Sequence, residues 1–83
     1  MFQGNRIEVL AFWDNEAGVW VATSEDVPGL VTEAETTEKL LDKLRALVPE
    51  LLEANGLLGQ MEHMDIPVHL LSQRTEMIRC RLP

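Results

Sequence analysis

What this sequence lacks narrows it before any motif is read. Cys80 is the only cysteine among 83 residues, so no disulfide framework braces the chain, and a lone thiol predicts a reducing, cytoplasmic setting. No apolar run approaches the roughly 18 residues that a bilayer span requires. The opening residues lead straight into an alternating pattern without the apolar stretch of a signal peptide, so no membrane association is expected. Glycine-rich phosphate loops, nucleophile elbows and paired CxxC cysteines are all missing. Basic side chains are scarce as well: seven Lys and Arg stand against fourteen Asp and Glu, a formal charge of −7. Such a surface repels phosphate backbones, which makes direct nucleic-acid binding a poor expectation and a basic macromolecule a better one.

What is present is an ordinary globular composition, 46% hydrophobic and 25% charged, in a chain long enough for one small domain over 1–83 and too short for two. The charge is uneven. Residues 1–35 hold seven acids against Arg6 alone, whereas residues 57–83 balance three acids with Arg74, Arg79 and Arg81.

Residues 6–13 begin as an alternation and end apolar on both faces, with Ile7, Val9, Ala11 and Trp13 on one side and Leu10 and Phe12 on the other. A turn over residues 14–18 and a β-rich run over 19–24 make this a hairpin. Pro28-Gly29 suits the centre of a type II turn, after which residues 30–35 can return as a third antiparallel strand. From Thr36 the period changes. Leu40, Leu41, Leu44, Leu47, Val48, Leu51 and Leu52 form one stripe of a helix, which Thr36 or Thr37 can cap and Asn55-Gly56 can end. Pro49 interrupts the stripe without changing its phase, which predicts one bent helix. After a loop over 57–65, residues 66–74 read as a further strand that Pro67 confines to an edge or to a strand start. The fold class is therefore α+β: a three-stranded antiparallel meander, one long helix and one more strand.

Candidate chemistry is thin. Asp14, Glu16, Glu25 and Asp26 gather acids near turns without the spacing of a calcium loop, and solvated hairpin ends often look this way. His63 and His69 lack partners at zinc-ligand spacing, and Cys80, although flanked by Arg79 and Arg81, has no placed base beside it. No metal, cofactor or catalytic residue is expected. Two-metal hydrolysis would need converging carboxylates, and Glu8 is the only acid inside the first strand. Trp13 and Trp20 could stack on a base with help from Arg74, Arg79 and Arg81, which gives nucleic-acid or nucleotide binding as the alternative reading, disfavoured by the net charge.

The run from Phe12 to Ala34, with Gly18-Val19-Trp20-Val21-Ala22 and Pro28-Gly29 inside it and Thr36-Thr37-Glu38-Lys39-Leu40 after it, resembles a small family of uncharacterised bacterial proteins related to HicB antitoxins. The similarity spans residues 6–79. It implies a β-β-β-α-β fold, a partial RNase H-like sandwich without catalytic residues. It also implies a partner in a toxin-antitoxin system, a small basic RNA-cleaving toxin of the HicA type. Full HicB antitoxins add a C-terminal DNA-binding domain, for which this sequence shows no counterpart, so operator binding is not implied. The expected function is a non-enzymatic protein-interaction module that meets its basic partner through Asp14, Glu16, Trp20, Glu25 and Asp26. One helix cannot cover both apolar faces of the sheet. A homodimer is therefore expected, built on Leu10, Phe12 and Trp20, with pairing through the strand of Val68 and Leu70 as the other mode.

Overall fold

The structure, a computed structural model, describes residues 6–57, 59 and 65–81. Four strands and one helix follow in the order β1 (Ile7–Asp14), β2 (Val19–Thr23), β3 (Val31–Ala34), α1 (Thr37–Ala54) and β4 (Val68–Gln73). The architecture is α+β, β-β-β-α-β, as the sequence pattern predicts. The sheet order is β3-β2-β1-β4. β1, β2 and β3 form the antiparallel meander, and β4 adds parallel to β1, so the sheet is mixed. The parallel sense follows from connectivity: two hairpin reversals leave β3 parallel to β1, and α1 crosses the sheet to deliver β4 in the same direction. Pro67 fits both expectations for it. It precedes β4 on the border of the sheet, where its missing N–H costs nothing, and its carbonyl accepts the first rung from the Ile7 N–H at 2.9 Å.

The helix begins and ends on side chains chosen for those places. The Thr36 hydroxyl accepts from the Lys39 N–H at 3.0 Å, and Glu38 sits in the positive first turn. At the other end Gly56, at φ 69°, reverses the chain; its N–H bonds the Glu53 carbonyl and the Leu57 N–H bonds the Leu52 carbonyl at 2.8 Å. This pair of bonds is a Schellman motif, and it drops Leu57 onto the core. Pro49 lies inside a single helix, exposed, on the side away from the buried Leu40, Leu44, Val48 and Leu52.

Those four residues pack on Ile7, Val9 and Ala11 of β1, Ala22 of β2 and Ala34 of β3, with Val27 and Leu30 closing the end. Val27 and Leu30 bracket a type II turn in which the Leu30 N–H donates to the Val27 carbonyl at 3.1 Å, and Gly29 takes the φ of +87° that an L side chain resists. Asn55 fastens this turn to the helix terminus through its side-chain amide, which donates to the carbonyls of Pro28 at 3.0 Å and Leu51 at 2.8 Å. The helix lies over β2 and β3.

Because the helix buries one face only, large-to-small changes should separate the two faces. We expect Leu44→Ala or Leu52→Ala to cost about 2–5 kcal/mol, and Phe12→Ala on the uncovered side about 1 kcal/mol or less. Urea unfolding followed by far-UV circular dichroism checks this; equal losses would refute the assignment of faces.

Candidate functional site

The strand registers decide what the uncovered face displays. Leu10 pairs with Thr23 on one side and with Leu71 on the other, and Thr23 pairs with Val31, so Val31, Thr23, Leu10 and Leu71 form a row across all four strands. The next row holds Glu33, Val21, Phe12 and Gln73. Glu8 and His69 face the same way one row back. Leu10 is 38% exposed, Leu71 41%, Phe12 47% and Val31 70%. Four large apolar side chains at that exposure on one sheet face, with Glu8 and Glu33 at its border, form the broadest candidate surface of the described residues.

Trp20 does not belong to it. The expectation that Leu10, Phe12 and Trp20 share one interface fails on register, because Trp20 pairs with Trp13 and with Ala34, which places it on the helix side of the sheet. There it packs half-buried against the core. Trp13 and Trp20 meet edge to face, ring centroids 5.4 Å apart at 64°. The Arg74 guanidinium lies 4.2 Å above the Trp13 ring and is held by Glu76 through two hydrogen bonds of 3.1 and 2.8 Å. The Trp13 indole N–H donates to Asn15 at 3.0 Å. A face of Trp13 that could stack on a base is thus covered by the chain's own arginine.

The four acids of the expected contact set are not one patch. Asp14 and Glu16 sit at the hairpin end of β1, and Glu25 and Asp26 follow β2 at the opposite end, about 20 Å away along an eight-residue strand. Two of them are engaged by the backbone. Asp14 accepts from the N–H groups of Glu16 at 3.0 Å and Ala17 at 3.2 Å, which shapes the hairpin loop. Asp26 accepts from the Glu8 N–H at 2.8 Å, while Ser24 donates to the Glu8 carbonyl. The two side chains continue the ladder beside β1 after β2 has ended at Thr23, so they replace a missing strand residue. Glu16 and Glu25 are exposed and carry no ion pair among the described residues.

His69 is half-buried on β4 opposite Glu8, Cys80 is exposed, and His63 lies outside the described residues. Among the described residues no group of three His, Cys, Asp or Glu side chains could hold a metal ion, and no helix is long and apolar enough to cross a membrane. The Glu8 carboxylate faces Arg6 at 3.6 Å with both side chains about half exposed, a surface pair of small energetic weight.

Sequence reasoning passed over Val31 and Leu71, and it treated Asp26 as a surface acid. The alternation of β4 contains the signal for Leu71, since Val68 and Leu70 cannot face the core unless His69, Leu71 and Gln73 face out. Nothing in the local sequence marks Asp26, whose donor is 18 positions away. Asp26→Ala should therefore destabilise the fold by about 1–3 kcal/mol by leaving the Glu8 N–H without its acceptor, while Glu25→Ala stays within about 0.5 kcal/mol of the parent. Chemical unfolding of the two variants makes the comparison, and equal midpoints would show that Asp26 is an ordinary surface acid.

Among curated proteins nothing matches this chain. A solved structure does: a hypothetical protein, TTHA1013, from the extremely thermophilic bacterium Thermus thermophilus, shares 51% identity over 90% of this chain and 99% of its own, with a TM-score of 0.65. A family model described as a domain of unknown function, DUF1902, matches residues 6–81. With the match running from the residue before β1 to the last described position, the chain belongs to the DUF1902 family.

Proposed function

We propose that this chain is a non-enzymatic protein-interaction module and that it acts through the uncovered face of its sheet. The observation that carries the reading is the row of Val31, Leu10 and Leu71 with Phe12 beside it, exposed on a four-stranded sheet. A small domain gains stability by burying such residues, so their display on one surface fits contact with another macromolecule. The charge indicates its kind. Residues 6–57 carry eleven acidic side chains against four basic ones, and Glu8 and Glu33 border the apolar rows, a distribution that favours encounter with a basic protein.

The HicB-like resemblance of the hairpin, the Pro28-Gly29 turn and the helix start gives that partner a form: a small basic RNA-cleaving toxin of the HicA type, neutralised by occlusion. In this reading the contact centres on Leu10, Phe12, Val31 and Leu71. Glu16 and Glu25 act from opposite ends of the sheet as long-range attraction, and Trp20 supports the fold from the other side. Nucleotide stacking has less in its favour, since Arg74 already occupies a face of Trp13.

The test is an RNA-cleavage assay with a purified small basic RNA-cleaving protein of the HicA type. Equimolar chain should suppress cleavage, and Phe12→Asp should weaken the suppression by at least about tenfold, the penalty expected for a charge placed at the centre of an apolar contact. Undiminished cleavage in a large molar excess of folded chain would reject the toxin partner.

A further inference from the structure

β4 ends at Gln73, but the chain continues through residues 74–81 without pairing to any other strand among the described residues, and every one of these residues is exposed. Met77 is 92% exposed and Ile78 81%. Among the described residues, the beginning of this arm is what is fastened to the body. Arg74 lies over Trp13, the β1 residue next after the Phe12–Gln73 pair, and Glu76 bonds Arg74. Residues two apart meet on one side of an extended chain, so the arm leaves in line with β4. The radius of gyration, 15.7 Å, exceeds the roughly 12 Å of a compact chain of this length, as an arm running outward requires.

The arm has the pattern of a half-buried strand. Over residues 78–81 Ile78 and Cys80 alternate with Arg79 and Arg81, apolar on one side and basic on the other, with Met77 before them on the basic side. The edge from which it grows is equally unfinished. β4 borders the sheet, carries no lysine or bulge to discourage pairing, and has a proline only before its first residue. Because α1 lies over β2 and β3, Val68 and Leu70 on the helix side of β4 remain half-buried although they touch the core.

We propose that β4 and the arm form one long strand that pairs antiparallel with the same strand of a second copy, each arm seating on the other copy's β4 edge. A two-fold axis normal to the sheet keeps even-numbered residues of both copies on the helix side and odd-numbered residues on the open side. With the axis at Thr75, Ile78 faces the partner's Ser72 and Cys80 faces the partner's Leu70, so the apolar side of the arm extends the core over the strand that the helix leaves uncovered. Arg79 and Arg81 fall on the open side, beside Leu71 and His69 and within reach of the acid-rich body at Glu8. The pairing supplies on the order of a dozen backbone hydrogen bonds to groups that are otherwise left to water, and it joins two four-stranded sheets into one of eight. It uses the edge and leaves Leu10, Phe12 and Val31 uncovered, so it does not depend on the toxin reading.

Two measurements on the full chain test it. In sedimentation at tens of micromolar, the wild type should be a dimer; Ile78→Asp should raise its dissociation constant by at least about tenfold, while Phe12→Asp leaves it dimeric. For register, a Cys80→Ser chain carrying Ser72→Cys and Ile78→Cys should form a disulfide-linked dimer on mild oxidation, whereas one carrying Gln73→Cys and Ile78→Cys, with the two thiols on opposite sides, should not. A monomeric wild type overturns the proposal. So does dissociation by Phe12→Asp with Ile78→Asp still dimeric, or cross-linking through position 73 in preference to 72.

Discussion

One helix must shield a sheet four strands wide, and most of what is distinctive in this structure follows from that shortage. The buried face of α1 repeats at Leu40, Leu44, Val48 and Leu52 and presses on three alanines, Ala11, Ala22 and Ala34, with Ile7 and Val9 beside them. A helix is about 10 Å across with its side chains, so it covers about two strands spaced some 4.8 Å apart. It settles over β2 and β3. β1 stays buried because it directs Ile7, Val9 and Ala11 into the core that the helix leucines fill. β4 receives what cover remains, and the opposite face of the whole sheet receives none.

The polar residues nearest the core serve this arrangement. Asp26 and Ser24 complete the hydrogen bonding of Glu8 where β2 stops, Asp14 forms the hairpin loop, and Asn55 joins the end of the helix to the Pro28-Gly29 turn. The Glu76, Arg74, Trp13 and Trp20 series closes the far end of the sheet. The surfaces left over are an apolar sheet face and an unpaired strand edge, both of a kind that other chains recognise.

Much of the fold was legible because its determinants are local. Alternation in residues 6–13, the Pro28-Gly29 turn, the leucine stripe and the Thr36 and Asn55-Gly56 boundaries each act over a few residues, and each reappears in the structure at or within a residue or two of its expected place. Pro49 falls within one helix, as its neighbours imply, because the stripe keeps its phase across it and the proline stands on the exposed side. The candidate site was less legible. Leu10 and Phe12 could be assigned to one side of β1 from the sequence, but which residues of the other strands join them depends on register, and that is where the grouping with Trp20 failed.

Side-chain spacing along one strand or helix is set by backbone geometry alone, so the elements, their order and the two-sided apolar content of β1 could be read from the residues in line. Packing between elements fixed what remained. It set Trp20 against Trp13 rather than beside Phe12, brought β4 in parallel to β1, gave Asp26 a donor from a distant strand, and left residues 75–81 without a strand partner among the described residues. Each of those outcomes joins residues far apart in the chain, and no pattern within a strand encodes which neighbour it will meet; that is fixed when the helix chooses its face and the sheet closes around it.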